Sequence, residues 1–279
     1  MTPSILTKKE ATVLAGSQKR GFGMVSVDLG KSKTRVEVTE KGALIDGQLI
    51  SIKELSKTKE NTCYVAQEGE LKAVELFSQS TNLYYKLVPT QDWPTVMLSS
   101  VPMHRFKTIT PKKSAQIMVN ELGAVKGVAL DTCCGLGYTA TLVANQVGCE
   151  KVHTFERDEN VLTIAGYNPW SQGVFTNPKV ILHKENVAHG IKELESNSFD
   201  CVIHDPPTVS FSPQLYEAPF YAQLLRVMKS GAKLYHYCPT PGKTKGNEFW
   251  PGVKRKLEEL GFVGVEFHKK ASGIVANKK

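Results

Sequence analysis

The sequence predicts an α/β protein in which a doubly wound, mainly parallel sheet follows a β-rich N-terminal part. Three observations carry this. From Val128 onward, short apolar strand-like runs alternate with helical patterns. The first of those strands runs directly into a glycine turn, Gly135-Leu136-Gly137, that opens a helix. Before Thr110 the runs are short, strand-like and separated by turn residues. With 279 residues, 41% of them hydrophobic and 22% charged, the chain has enough apolar matter for a sizeable core and fits two domains.

Taken in order, Thr7-Lys8-Lys9-Glu10 has capping-box spacing and predicts a short helix closed by Gly16. Strand-like runs follow at 24–27, 35–38, 43–45 and 48–50, the last two flanking Asp46-Gly47, a dipeptide that favours a two-residue hairpin turn. Runs at 63–66, 71–77 and 83–88 continue the pattern, which makes 1–109 a β-rich accessory domain. At Thr110-Pro111 a capping residue precedes proline at the first helical position. Ala115, Met118, Val119 and Leu122 then recur at helical spacing before Gly123, which predicts a helix over 111–122.

Beyond it, strands are predicted at 128–130, 152–155, 180–182, 201–203, 233–237 and 263–267. Helices are predicted from Tyr138, from Asp158, near 187–194, over 220–228 and over 253–260. Residues 274–276 return across Ser272-Gly273 as a hairpin strand, and 110–279 is the second domain, catalytic if the strand ends carry the chemistry read below.

Composition narrows the function. No apolar run approaches the roughly 18 residues of a membrane-spanning helix, and residues 11–15 follow Lys8, Lys9 and Glu10, so neither membrane insertion nor secretion is expected. The six cysteines include no C-x-x-C pair and no His/Cys cluster at zinc spacing, which predicts a cytoplasmic protein without a metal site. Net charge is +8, from 15 basic and 11 acidic residues up to Thr110 and 20 and 16 beyond it. An excess divided so evenly is compatible with a polyanionic partner.

The chemistry concentrates at the predicted strand ends. Asp131 stands just ahead of Gly135 and Gly137, whose lack of a side chain lets a ligand approach the backbone. Gly135-Leu136-Gly137-Tyr138-Thr139-Ala140 also fits a dinucleotide fingerprint, so NAD(P) and S-adenosylmethionine both compete for the turn. Glu156, 21 residues after Gly135, can accept hydrogen bonds from both hydroxyls of an adenosine ribose in either ligand. Asp131 discriminates: an anion there repels a pyrophosphate and suits the ammonium of S-adenosylmethionine. The fourth strand ends in His204-Asp205-Pro206-Pro207-Thr208. Its two prolines lack N–H donors, so the segment offers mainly acceptors, suited to gripping a planar amino group.

These residues resemble the successive motifs of class I S-adenosylmethionine-dependent methyltransferases: 131–137, Glu156, Glu185-Asn186 and Asp205-Pro206-Pro207, in order over about 111–279. A group of predicted, largely archaeal methyltransferases is similar over nearly the whole chain. It shares Leu130-Asp131-Thr132 with Gly135 to Thr139, Asn168-Pro169-Trp170-Ser171, His204 to Pro207 with Phe220-Tyr221, and Met103-His104-Arg105. The resemblance implies a Rossmann-like seven-stranded methyltransferase sheet with one antiparallel strand. By position, Asp131, Gly135 and Gly137 would line the methionine part of S-adenosyl-L-methionine, Glu156 the ribose, Asn186 the adenine edge, and Asp205, Pro206 and Pro207 the catalytic acceptor site.

Two positions depart from that pattern. Cys133 replaces a glycine, and Thr208 replaces an aromatic that often follows the paired prolines, leaving Trp170, Phe211 or Tyr216 as alternative stacking partners for a base. Cys238 closes the fifth strand, where a cysteine thiolate would serve cytosine-C5 methylation, with His236 as the nearby activator. His104-Arg105-Phe106-Lys107 and Lys243-Thr244-Lys245 are the concentrated basic stretches, whereas Lys254, Arg255 and Lys256 read as a solvent-facing helix surface. The expected function is S-adenosylmethionine-dependent methylation of a planar nitrogen in RNA (tRNA or rRNA), with Arg105, Lys107 and Thr208 binding substrate. The alternatives are methylation of a protein side chain or small amine, cytosine-C5 methylation through Cys238, an NAD(P)-dependent oxidoreductase, and an RNA-binding protein without turnover.

Overall fold

Seven strands form the principal sheet of the protein, here described from a computed structural model in which residues 2–238 and 248–279 are placed. They are β1 (Gly127–Asp131), β2 (Cys149–Phe155), β3 (Val180–His183), β4 (Phe199–His204), β5 (Met228–Tyr237), β6 (Phe262–His268) and β7 (Gly273–Lys278). Their order is β3-β2-β1-β4-β5-β7-β6. β7 pairs antiparallel with both neighbours and the pairs from β3 through β5 are parallel. The order reverses between β1 and β4, and such a switch opens a crevice at the carboxyl ends of these two strands.

Strand periodicity explains the two-sided core. Leu130, Val202, Leu234 and Ile274 belong to one apolar cluster, and their neighbours Ala129, Ile203, Tyr235 and Val275 to the other. Helix Ala218–Val227 buries Phe220, Tyr221, Leu224 and Val227 against the first. Helix Pro111–Leu122 sets Met118, Val119 and Leu122 against the second. A parallel sheet covered on both faces needs near-continuous apolar strands, and Cys201-Val202-Ile203 is buried throughout. β5 begins at Met228, five residues before the predicted start. It tolerates Gly231 at φ 78° beside a register shift against β4, a turn-like signal lying inside a strand.

The chain divides into two compact units: Met1–Lys112 with Asn160–Gln172, and Lys113–Glu159 with Gly173–Lys279. In the first unit the capping box forms as expected, with the Thr7 side chain accepting from Lys9 N–H and Glu10 reaching back, and helix Lys8–Ala15 stops at Gly16. The hairpin Gly42–Ile45/Gln48–Ser51 turns at Asp46 and Gly47, at φ 47° and 75°. The run predicted at 71–77 is two strands, Glu70–Ala73 and Glu75–Ser78, in different sheets. Val74 is the crossing point: its N–H donates to the Cys63 carbonyl (2.8 Å) and its carbonyl accepts from Leu87 (2.9 Å). Helix Ile52–Ser56 was not predicted, although its Ser51 cap and Glu54 have capping-box spacing.

The stretch 160–172 is tied within the first unit by Trp170. Its indole N–H donates to the Leu29 carbonyl (2.9 Å), its ring lies 5.4 Å from that of Trp93, and Lys31 donates to the Pro169 carbonyl (3.0 Å). Asn168 caps this turn, its side chain accepting from Trp170 N–H and donating to Ser171. No helix among the described residues is long and apolar enough to cross a membrane. All six thiols are free.

Candidate active site

β1 delivers Asp131 to the crevice with 1% of its surface exposed. One carboxylate oxygen, Oδ2, accepts from the Thr139 and Thr154 hydroxyls (3.0 and 3.1 Å), whereas Oδ1 has no hydrogen-bond partner. Burial raises this carboxyl to about 7, the two hydroxyls oppose the rise, and nearby Asp205 adds to it. The turn that follows places Gly135 at φ 54° and Gly137 at φ 71°, left-handed conformations that glycine adopts without penalty. A Cβ on Gly137 would also overlap the Val174 side chain. Gly137→Ala is therefore expected to cost roughly 2–5 kcal/mol, a left-handed penalty plus overpacking. Denaturant midpoints of this variant and of Gly137→Ala/Val174→Ala check it, the second change recovering the packing part.

β2 ends at Glu156, which reaches back to the turn: Oε2 accepts from Gly135 N–H and Oε1 from Asp158 N–H, each at 2.9 Å. Burial lifts its carboxyl to about 7 against these donors. A carboxylate offers about four acceptor sites, so two remain for ligand hydroxyls. Asn186 caps helix Val187–Gly190, its Oδ1 accepting from Ala188 N–H. Asn186, Glu156, Cys133 and Pro207 line one cleft with Thr132 and Phe155. The structure thus brings together the residues assigned to ribose and adenine, and one of the two prolines of the acceptor motif.

Asp205 and Pro207 are accessible at the end of β4, while Pro206 is buried. The Tyr216 hydroxyl donates to the Pro207 carbonyl (2.8 Å) and contacts that of Pro206 (3.3 Å). Tyr216, 4% exposed, therefore fixes the loop rather than offering a stacking face, and Phe211 is half-buried. Thr208 is exposed.

Sequence reasoning gave His204 no role, yet it joins three segments of the site. Its Nε2 donates to the Leu215 carbonyl (2.9 Å), which leaves Nδ1 to accept from Thr132 (2.7 Å) in the loop after β1. The available signal was a lone polar residue closing an apolar strand ahead of the Asp-Pro-Pro segment. Complete burial depresses its pKa to about 4. The unfolded chain takes up a proton near 6.5 and the native ring only near 4, so this contribution to stability is full above 6.5 and is lost as pH falls toward 4. Compared with a His204→Gln variant, the parent protein should lose about 3 kcal/mol of relative stability between pH 7.5 and 4. Denaturant unfolding of both proteins at these two pH values measures it.

Cys238 does not have the setting of a nucleophile. It is fully buried, and burial pushes its thiol up to about 12. His236 is already engaged, Nε2 with the Tyr221 hydroxyl and Nδ1 with the Tyr237 carbonyl (both 2.8 Å). His104 likewise is no cation at neutral pH: burial lowers its pKa to about 4 beside the Thr95 hydroxyl. Arg105 is half-buried and Lys107 exposed, both in the first unit, whereas Thr208 belongs to the second. Pro239 and Lys243-Thr244-Lys245 lie outside the described residues.

The strand order, the glycine turn after β1 and the carboxylate after β2 define a Rossmann-like methyltransferase fold, and solved structures share it. A spermidine synthase in complex with the transition-state analogue AdoDATO has a TM-score of 0.59 at 16% identity, covering 74% of this chain and 73% of that one. The spermidine synthase of Thermotoga maritima gives 0.56 at 17% identity, covering 72% and 70%. MnmC2 of Aquifex aeolicus gives 0.52 at 18%, covering 70% of each chain. No protein-family model matches the sequence. The chain belongs to the family of the uncharacterized protein MJ1233 of Methanocaldococcus jannaschii, with 35% identity over 287 positions spanning 100% of this chain and 96% of the relative.

Proposed function

We propose that the protein is an S-adenosylmethionine-dependent methyltransferase acting on a planar nitrogen carried by RNA. The observation that carries the cofactor assignment is Asp131 Oδ1, a buried acceptor without a partner at the mouth of the glycine turn. An oxygen so placed fits an ammonium group and opposes a pyrophosphate, which favours S-adenosylmethionine over NAD(P). With Glu156 and Asp205 nearby, the crevice is acidic within a chain of net charge +8, which suits a ligand bearing ammonium and sulfonium. Gly135 would let the methionine portion approach the backbone, Gly137 would shape the turn against Val174, Glu156 would hold the ribose hydroxyls and Asn186 the adenine edge. When bound, the cofactor supplies an electrophilic methyl group.

The chain's own part is to hold the acceptor. Asp205 would accept one hydrogen of a planar amino group and the Pro206 carbonyl, with a second lone pair beside its Tyr216 contact, the other. Holding both hydrogens fixes the nitrogen lone pair, transfer then depends mainly on in-line placement, and the proton that the methylated nitrogen sheds would pass to the Asp205 carboxylate. RNA is supported by the chain's basic surplus and by its separate β-rich N-terminal part. A second reading, methylation of a small amine, is favoured by one feature: among the described residues beside the prolines, Thr208 carries no ring and Tyr216 is buried. Solved structures sharing the fold include synthases named for a polyamine.

The test pairs two measurements on the intact chain. S-adenosylhomocysteine should raise the melting temperature and NAD should not; the reverse would assign an oxidoreductase. Labelled methyl groups should then appear in total RNA nucleosides as an N-methylated base. Label confined to protein or polyamine would replace the acceptor and keep the methyltransferase.

A further inference from the structure

We infer that the groove between helix Lys8–Ala15 and the hairpin Phe22–Val25/Thr34–Glu37 is a docking surface for a single-stranded segment of RNA. This rests on RNA as the carrier of the acceptor and names where the first unit would hold it.

Charge is the first observation. Residues 8–35 contain seven basic and two acidic side chains, while residues 36–110 contain eight and nine. The surplus of the N-terminal part therefore resides in its first 35 residues. Both acids are occupied internally. The Glu10 carboxylate closes the capping box with Thr7. Asp28 accepts from the Ser26 hydroxyl (2.7 Å) and from the N–H (2.9 Å) and hydroxyl (2.6 Å) of Ser32. Within the stretch Lys8 pairs with Glu60, and beyond it Lys57, Lys72 and Lys86 pair with Glu54, Glu70 and Glu75. Among the described residues, Lys9, Lys33 and Arg35 form no ion pair, and all three are exposed.

Shape and apolar content are the second observation. Lys9, Lys31 and Lys33 surround an open cavity of about 530 Å³ whose lining includes Val13 and Met24, exposed by 43% and 50%. Helix and hairpin meet closely on the other face, where a Cβ on Gly23 would come within 2.8 Å of Leu14. Period-two alternation then turns Phe22 and Met24 outward. Met24 pairs across the strands with Arg35, whose guanidinium lies 4.1 Å from the centre of the Phe22 ring.

An aromatic ring under a guanidinium, an exposed methionine and valine, and three lysines form a surface of cations interleaved with apolar faces. Phosphates release counterions to the cations, and unstacked bases cover the apolar groups; only a single strand presents both. An acidic peptide would use the charges and leave Phe22, Met24 and Val13 wet. A second copy of the chain would bring like charge against like.

The experiment measures binding of a labelled single-stranded RNA oligonucleotide to the intact chain across a salt series, with circular dichroism melting as the check on folding. Lys9→Ala/Lys33→Ala/Arg35→Ala should make the log–log salt slope shallower by about 2, at about 0.7 per lost phosphate contact. Phe22→Ala/Met24→Ala should weaken binding about tenfold or more with the slope unchanged. RNA binding whose slope and strength both variants leave unmoved overturns the groove and leaves the RNA reading standing. Poly-glutamate binding as tightly as RNA, with the Phe22/Met24 variant at parental affinity, overturns the single-strand assignment. No RNA affinity in the intact chain at low salt overturns the groove and the RNA reading together.

Discussion

Asp205→Ala should abolish methyl transfer while leaving the affinity for S-adenosylhomocysteine within a few-fold. Asp205 follows a strand whose last residues, Val202 to His204, are all buried, and the loop beyond it is tied by His204 to Leu215 and by Tyr216 to Pro207. His204 and Tyr216 should hold the loop's course in the variant, which circular dichroism melting checks. What is removed is a charged acceptor that would orient the amino group. Loss of alignment together with a charge-assisted hydrogen bond should lower turnover by roughly a thousandfold or more. Asp205→Asn keeps a carbonyl oxygen at the same place and should retain part of the activity. Cys238→Ser supplies the contrast and should remain active, because its thiol is buried and pushed up to about 12. Single-turnover assays with S-adenosylhomocysteine titrations separate these outcomes. An Asp205→Ala enzyme at parental rate would remove the residue from the acceptor site, and a dead Cys238→Ser enzyme that still binds cofactor would point to carbon methylation.

Much of this arrangement was legible because the signals were local. A Thr-x-x-Glu cap, an Asp-Gly turn and Thr110-Pro111 before a helical stripe all act within a few residues, and each formed where predicted; most apolar runs formed strands with bounds shifted by a few residues. The glycine turn and Glu156 are 21 positions apart but sit at the ends of adjacent strands, so topology converts their spacing into the hydrogen bond between Gly135 and Glu156. What escaped depends on distant partners. Val74 divides one apolar run between two sheets because Cys63 and Leu87 claim its backbone. Trp170 is held by Leu29 and Trp93, more than seventy residues away in sequence. His204 gains its role from Thr132 and Leu215. The basic surplus of the first 110 residues is also uneven: the stretch 8–35 carries an excess of five, and 36–110 is nearly balanced at eight basic and nine acidic residues.

Asp131→Asn should weaken S-adenosylhomocysteine binding by roughly 10- to 100-fold, the loss expected on removing one charged partner of a buried hydrogen bond. The amide oxygen can still accept from Thr139 and Thr154, so the turn after β1 should persist. The pH dependence sharpens the test. In the free protein the Asp131 carboxyl is raised to about 7, above its ordinary 3.8, so between these values the native state holds a proton that the unfolded chain does not. That contribution to stability is present at low pH and is lost as pH rises through 7, and Asn, which never ionises, escapes the loss. Ligand binding has the opposite sign. An ammonium beside Oδ1 favours the ionised carboxylate, so affinity in the parent should rise with pH up to about 7 and level above it, with close to one proton released per ligand below that point. Glu156, also raised to about 7, adds to the release if the ribose hydroxyls donate to it. Calorimetry in buffers of different ionisation enthalpy at pH 6 and 8 reads the proton count directly. The Asp131→Asn variant should release about one proton fewer than the parent at pH 6, and equal affinity with equal release in the two proteins would take the ammonium away from Asp131.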